Sequence, residues 1–428
     1  MNTPLGTHRF QRAGFLEAAL DRSKHAESDA YPGTFRMNEM KRQTVWLSIL
    51  LTIFFSLLAG LASAQRASRN APIFEQVDLF QQGEGGVHTY RIPALAVTKK
   101  GTLIAVVDAR QESAEDLPGV LDLVMRRSTD LGKTWTPITV IRNPPGRAGA
   151  GDASLLVDRR TGRVFCFYAY GPPGVGFFHS QPCNAAVDNC MHAQFIYSDD
   201  DGATWSEPVD ITTQIKTPEW DALFASSGHG IQTRKGRLLQ PYVMRKGKET
   251  WTANAYSDDG GRTWRMGQPA GTNVNESKVI ELRDGTVMQN IRHNNGSDDT
   301  RLRFVALSRD GGVMFGPMKA APALIDPWVN ADILRYDAQR AILFSNPADA
   351  KQRVRLTVRA SFDEAQTWPL ARVVHEGPAA YSTMAVLPDG TIGLLYERGD
   401  KSPYEKITFA RFNLKWLMEG KDTLKQSP

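Results

Sequence analysis

Five short segments of one pattern punctuate this chain: STDLGKTW from Ser128, SDDDGATW from Ser198, SDDGGRTW from Ser257, SRDGGVMF from Ser308 and SFDEAQTW from Ser361. Between them lie paired apolar runs joined by tight polar turns. These are ALAVTKKGTLIAVV around Gly101, SLLVDRRTGRVFCF around Gly162, GIQTRKGRLLQPYV around Gly236, VIELRDGTVMQN around Gly285, DILRYDAQRAILF around Ala338 and MAVLPDGTIGLLY around Gly390. Five of the turns carry Gly, which supplies the positive φ that such connections need. A unit of about 50 to 70 residues that contains one hairpin and one box corresponds to a four-stranded blade. The chain is therefore expected to be all-β, a six-bladed β-propeller of four-stranded antiparallel blades. FEQVDLF near the start and ITFARFNLKWL near the end are expected to pair, leaving no open edge.

With 41% hydrophobic residues the chain has enough apolar mass for a core. Its net charge of +5 comes without a long Lys/Arg run, which argues against a nucleic-acid partner. Strand geometry then gathers the polar residues. Arg91 and Arg110 flank Gly101 by ten and nine positions, Glu276 and Arg292 flank Gly285 by nine and seven, and Tyr381 and Glu397 flank Gly390 by nine and seven. Asp152 and His229 precede their turns by ten and seven. At about 3.3 Å per residue, all are expected on the face opposite the turns, around the mouth of a central channel.

These residues carry a resemblance. The boxes resemble the Asp-box, in which a carboxylate binds turn amides and Trp packs beneath, a folding device rather than a site. Tyr90-Arg91-Ile92-Pro93 resembles the Arg-Ile-Pro motif of bacterial-type exo-α-sialidases. Asn275-Glu276 with Arg292 sixteen later, and Tyr381-Ser382 with Glu397 sixteen later, are similar to that family in type and spacing. The resemblance implies catalytic Asp116, Glu276 and Tyr381 and substrate-binding Arg91, Arg292, Arg353, Asp152 and Glu397. Arg355 and Arg359 compete with Arg353 for the third arginine, and Glu115 adjoins Asp116.

The chemistry suits these residue types. Guanidinium groups bind a sugar carboxylate through paired, charge-assisted hydrogen bonds. A neutral tyrosine hydroxyl, deprotonated by Glu276, avoids the repulsion that a carboxylate nucleophile meets at an anomeric carbon already bearing a negative group. Asp116 is expected to be a partly buried acid kept neutral by neighbouring carboxylates, ready to protonate the leaving oxygen. Glu397 orients Arg91, and Asp152 faces the substrate. No metal or cofactor is expected. Substrates would be sialylated glycoproteins, glycolipids or oligosaccharides, acted on by a monomer. The rivals are a non-catalytic sialic-acid-binding propeller, which would not need Tyr381, Glu276 and Asp116 together, and a trans-sialidase.

Residues 1–36 read as a polar N-terminal extension, left untranslated if the start is Met37 or Met40. Residues 37–64 read as a signal peptide: Lys41 and Arg42, an apolar run from Val45 to Leu61, then Ala62-Ser63-Ala64. Residues 65–428 form the catalytic domain, secreted or periplasmic after cleavage near Ala64, and membrane-bound only if the signal stays uncleaved. In an oxidising compartment Cys183 and Cys190 are candidates for a local disulfide, whereas Cys166, in an apolar strand, is expected to be a buried thiol.

Overall fold

The computed structural model describes residues 71–183, 189–293 and 300–419, and Trp46 alone before them. The signal segment at 37–64 otherwise lies outside the described residues. The described fold is all-β, with only short helices at Thr212–Ile215 and Leu414–Met418.

Five sheets follow in chain order. The first joins Thr89–Val97, Leu103–Arg110, Leu121–Ser128 and Thr139–Arg142. The second is built on Gly149–Val157, Val164–Gly171 and His192–Ser198, the third on Leu238–Lys246 and Glu249–Ser257, and the fourth on Val274–Glu281, Val287–His293, Leu302–Ser308 and Lys319–Ile325. The fifth has seven strands, where two four-stranded units were expected. The 17-residue strand Leu370–Val386 makes them continuous, pairing through its first half with Val354–Ser361 and through its second with Ile392–Arg398. Phe74–Gln81 adds to the far edge beside Lys406–Phe412, so the two segments expected to pair do pair. Another departure is at residues 222–232, where the expected first strand of the third hairpin is broken into three short pieces. One of them, Gly228–His229, pairs in parallel with the second sheet.

The turns follow their chemistry. Gly101, Gly162, Gly236, Gly285 and Gly390 all have positive φ; in the hairpin without Gly, Arg340 adopts φ 50°. In the first box the Ser128 hydroxyl donates to Asp130 (2.8 Å) and accepts the Gly132 N–H (2.9 Å). Asp130 receives the Thr134 N–H and hydroxyl (2.9 and 2.6 Å), which hold its carboxyl down at about 2. The Trp135 indole N–H closes onto the Gly132 carbonyl at 3.0 Å. Ala365, standing where other boxes have Gly, accepts φ 65°.

The boxes also join sheets. A Cβ on Gly132 would collide with Phe409 of the seven-stranded sheet, one on Gly202 with Ile104 of the first, one on Gly261 with Phe165 of the second and one on Gly312 with Leu239 of the third. Each of these turns rests on the preceding sheet, and the first rests on the last. Apolar clusters fill the same seams: Leu95, Val107, Leu395 and Phe409 in one, Ile104, Met125, Leu155 and Ile196 in the next. At about 25 cal/mol per Å² of apolar surface, these interfaces supply the main drive for the sheets to assemble.

Leu95, Leu155, Ile231, Ile280, Ile333 and Met384, from the leading strands of successive units, line a cavity of about 570 Å³. Leu95 lies four residues past Arg91, and Met384 three past Tyr381. At roughly 3.3 Å per residue the cavity is therefore some 10 to 13 Å along the strands from those polar residues.

Candidate active site

The leading strands break register where the polar residues sit. Bulges fall between Arg91 and Ala94, between Gly151 and Ser154, between Val274 and Ser277, and between Ala379 and Ser382. Each inserts residues without partners and re-aims a side chain. The cost is visible in the backbone: Ile92 and Asp152 both adopt φ 60°. A β-branched residue in that region is strained and persists because its surroundings fix it. Glu397, fully buried, is one such fixative. Its Oε1 accepts Arg91 Nε (3.2 Å) and the Ile92 N–H (2.9 Å), while its Oε2 accepts the Tyr381 N–H (3.0 Å). One carboxylate thereby staples two bulged strands together.

Tyr381 is the centre of the cluster. Its hydroxyl donates to Glu276 Oε2 at 2.7 Å and accepts from Arg292 Nη1 at 3.0 Å. Arg292 Nη1 also lies 2.6 Å from Glu276 Oε2. The guanidinium carbons of Arg91 and Arg353 lie 5.5 and 5.7 Å from the centroid of the Tyr381 ring. Burial, then the Glu276 charge, push the Tyr381 hydroxyl well above the ordinary tyrosine range, with the three arginines pulling the other way. Tyr381 is thus held protonated and neutral. Arg292 Nε is buried with no partner among the described residues, and Nη2, which has none of the inward bonds of Nη1, is the nitrogen left to receive a carboxylate.

Arg91, Arg292 and Arg353 are the three arginines that the resemblance implies. Arg355 turns away to Glu376 (3.4 Å), and Arg359 lies buried beside Asn346 (3.3 Å). Arg353 donates to the Tyr404 hydroxyl and to the Trp328 carbonyl, both at 2.8 Å.

Asp116 corrects an expectation. It is not a partly buried acid among carboxylates: its side chain is 74% exposed and lies 2.6 Å from Arg110 Nη2 and 3.8 Å from Arg91 Nη1. Its crowded setting favours the neutral form, but Arg110 and Arg91 outweigh that and hold the carboxyl below the usual range. Glu115 is exposed and makes no contact with either arginine among those described. The carboxyls with raised values lie deeper. Burial pushes Asp108 up to about 7, although Arg110 Nη2 is 3.5 Å away. Burial, then the charge of Asp108, raise Asp152, whose N–H donates to Asp108 Oδ1 at 3.1 Å.

His229 departs from the expected face. It lines the cavity described above, with Nε2 2.8 Å from Asp332 Oδ1 but without hydrogen-bond geometry. Sequence reasoning gave Arg110 no role and missed Asp108, Tyr404 and Trp328. Arg110 and Asp108 were reachable, since both lie near the end of the strand that follows Gly101. The cysteines fall as expected: Cys183 is bonded to Cys190, and Cys166 is a buried free thiol.

Residues 101–394 match the model of the BNR repeat-like domain. The chain is 40% identical over 375 residues to a sialidase of Micromonospora viridifaciens, covering 84% of this chain and 56% of that protein. It is 34% identical over 364 residues to a sialidase of Bacteroides fragilis, covering 79% and 64%. The chain thus spans less than two thirds of the length of these relatives. Among solved structures, the Hadza microbial sialidase Hz136 superposes with a TM-score of 0.73 at 31% identity, covering 80% of this chain and 69% of that one. With its boxes, its sheets and these relatives, the chain belongs to the Asp-box, BNR-repeat family of bacterial-type sialidases.

Proposed function

We propose that this protein is an exo-α-sialidase that removes terminal α-linked sialic acid from glycoproteins, glycolipids or oligosaccharides, with retention of configuration. The observation that carries the reading is the convergence of Arg91, Arg292 and Arg353 on Tyr381, whose hydroxyl is already bonded to Glu276. Three cations suit a carboxylate beside a neutral nucleophile. The Tyr381 oxygen attacks the anomeric carbon as its proton passes to Glu276, and the bond to the aglycone oxygen breaks as Asp116 protonates that oxygen. Water then attacks the same carbon and gives its proton to Asp116, and Tyr381 leaves and recovers its proton from Glu276. Tyrosine replaces the usual second carboxylate, an exception recognised for sialidases. Asp116 must first take up a proton. A bound sugar favours this by covering the carboxyl and by setting its own carboxylate against Arg91. Release of fluorophore from a fluorogenic sialoside, and labelling of Tyr381 by a 2,3-difluoro sialic acid, test the reading; no turnover and no label would leave a binding module.

The sheets are read as six blades. The strand Leu370–Val386 counts as the outer strand of one blade and the inner strand of the next, and the cavity lined from six leading strands supports a common axis. Residues 37–64 are proposed as an export signal removed after Ala64, on the apolar run and the Ala-Ser-Ala ending. Mass spectrometry of the native protein checks this, and a mature form that retains Val45–Leu61 would make it an anchor instead.

A further inference from the structure

We infer that Tyr404 is a positioning residue that sets two of the three carboxylate-binding arginines without neutralising them, an inference that rests on the sialidase reading. The Arg91 guanidinium carbon lies 4.1 Å from the centroid of the Tyr404 ring, and the Tyr404 hydroxyl accepts Arg353 Nη1 at 2.8 Å. The ring also packs with Ile92, Val329, Ala380 and Tyr381. One phenol therefore touches both arginines through different parts of itself. Its π face attracts the cation of Arg91, and its oxygen orients Arg353.

The choice of residue type has a consequence. A carboxylate in this place would hold both arginines equally well but would cancel positive charge that an incoming carboxylate needs. Phenylalanine would keep the face and lose the acceptor; leucine would lose both. Arg353 is fixed on two nitrogens, by Tyr404 and by the Trp328 carbonyl, and keeps three of its five N–H donors for a ligand. The loop that presents Tyr404 is itself folded around one side chain. The Glu405 carboxylate accepts the N–H groups of Asp400 (3.0 Å), Lys401 (2.9 Å) and Ser402 (2.9 Å), and the Glu405 carbonyl accepts the Gln82 N–H at 2.9 Å. Tyr404 is thus carried by a braced turn beside the strand of Glu397, which holds Arg91 from its other side.

The test compares 2-deoxy-2,3-dehydro sialic acid with its C1 carboxamide, a ligand of nearly the same shape without the negative charge. Affinities and fluorogenic turnover are measured for wild type, Tyr404→Phe and Tyr404→Leu, with melting temperatures alongside. Tyr404→Phe is expected to weaken the acid by about fivefold and leave the amide unchanged, and Tyr404→Leu to weaken the acid further, with KM rising more than kcat falls. Equal loss for acid and amide together with a lowered melting temperature would make Tyr404 merely structural and overturn the inference. So would full retention of the preference for acid in both variants. A wild-type protein that showed no preference for the acid would instead overturn the sialidase reading on which the inference stands.

Discussion

The hydroxyl of Tyr381 and the Oε2 atom of Glu276 lie 2.7 Å apart although 105 residues separate them in the chain. The pair is buried, and Arg292 reaches both members from one nitrogen. Glu276 can accept the tyrosine proton over that distance without moving. Tyr381→Phe is expected to lower kcat by about a hundredfold, close to 2.7 kcal/mol in barrier, with a modest change in KM. Glu276→Gln should lose turnover similarly. Steady-state kinetics decide, and a Phe variant with nearly full kcat would remove Tyr381 from the chemistry.

Arg292 spends Nη1 on Tyr381 and Glu276 and leaves Nη2 for a ligand, so its planar fork has separate inward and outward duties. Lysine keeps the charge but not the fork. Arg292→Lys is therefore expected to lower kcat/KM by at least about tenfold, roughly 1.4 kcal/mol. Unchanged kinetics would show that a point charge is sufficient there.

The Arg110–Asp116 contact is expected to set the pH response of the proposed reaction. With its carboxyl held below the usual range, Asp116 is ionised in the free protein at neutral pH, so kcat/KM should already decline with rising pH on the acid side of neutrality. Arg110→Gln removes the first of the two cations that hold it down. The alkaline limb of the kcat/KM profile is expected to move to higher pH. A limb that stayed in place, in a variant that still folds, would assign it to another group.

Much of the architecture was legible because turn chemistry is local. The hairpins around Gly101, Gly162, Gly285 and Gly390 and the five boxes depend on residues adjacent in sequence. Arg91, Glu276, Arg292 and Glu397, brought together at Tyr381, could be counted from the same turns, whereas Arg353 came only from the resemblance. The bulges at Ile92 and Asp152 could not be read, because they are imposed by distant partners such as Glu397 and Asp108. The environment of Asp116 was misjudged for the same reason: whether arginines or carboxylates surround a loop carboxyl is decided by tertiary placement. Tyr404 lay on a loop whose return toward Arg91 no periodicity announces.

The box glycines serve two purposes that a pair of variants separates. Gly132 and Gly285 both have φ between 80° and 90°, but a Cβ on Gly285 meets nothing within 4 Å, whereas one on Gly132 collides with Phe409. Gly285→Ala should cost only the conformational penalty, about 1 to 2 kcal/mol. Gly132→Ala should cost about 1 to 3 kcal/mol more, because the seam between the first and last sheets must open. Denaturant midpoints at unchanged m-value measure both. Equal losses would mean that the seam yields freely.

Asp108 gives stability its own pH dependence. Its carboxyl is pushed up to about 7 in the folded protein, against about 4 in the unfolded chain. Between those values the folded state keeps a proton that the unfolded state has released, so the contribution of Asp108 to stability is fully present below about pH 4 and is lost as pH rises toward 7, at up to about 1.4 kcal/mol per unit. The titration belongs to the Asp108–Asp152 pair, since the Asp108 charge helps to raise Asp152. Carboxyls held low by box hydrogen bonds, such as Asp130 and Asp200 at about 2, act in the opposite sense but only at more acid pH. Asp108→Asn keeps an oxygen for the Asp152 N–H and removes one of the two titrating members of the pair. The stability of this variant relative to wild type is therefore expected to rise steadily from pH 4 to pH 7. Parallel curves across that interval would show that Asp108 stays ionised in the folded protein, with Arg110 outweighing its burial.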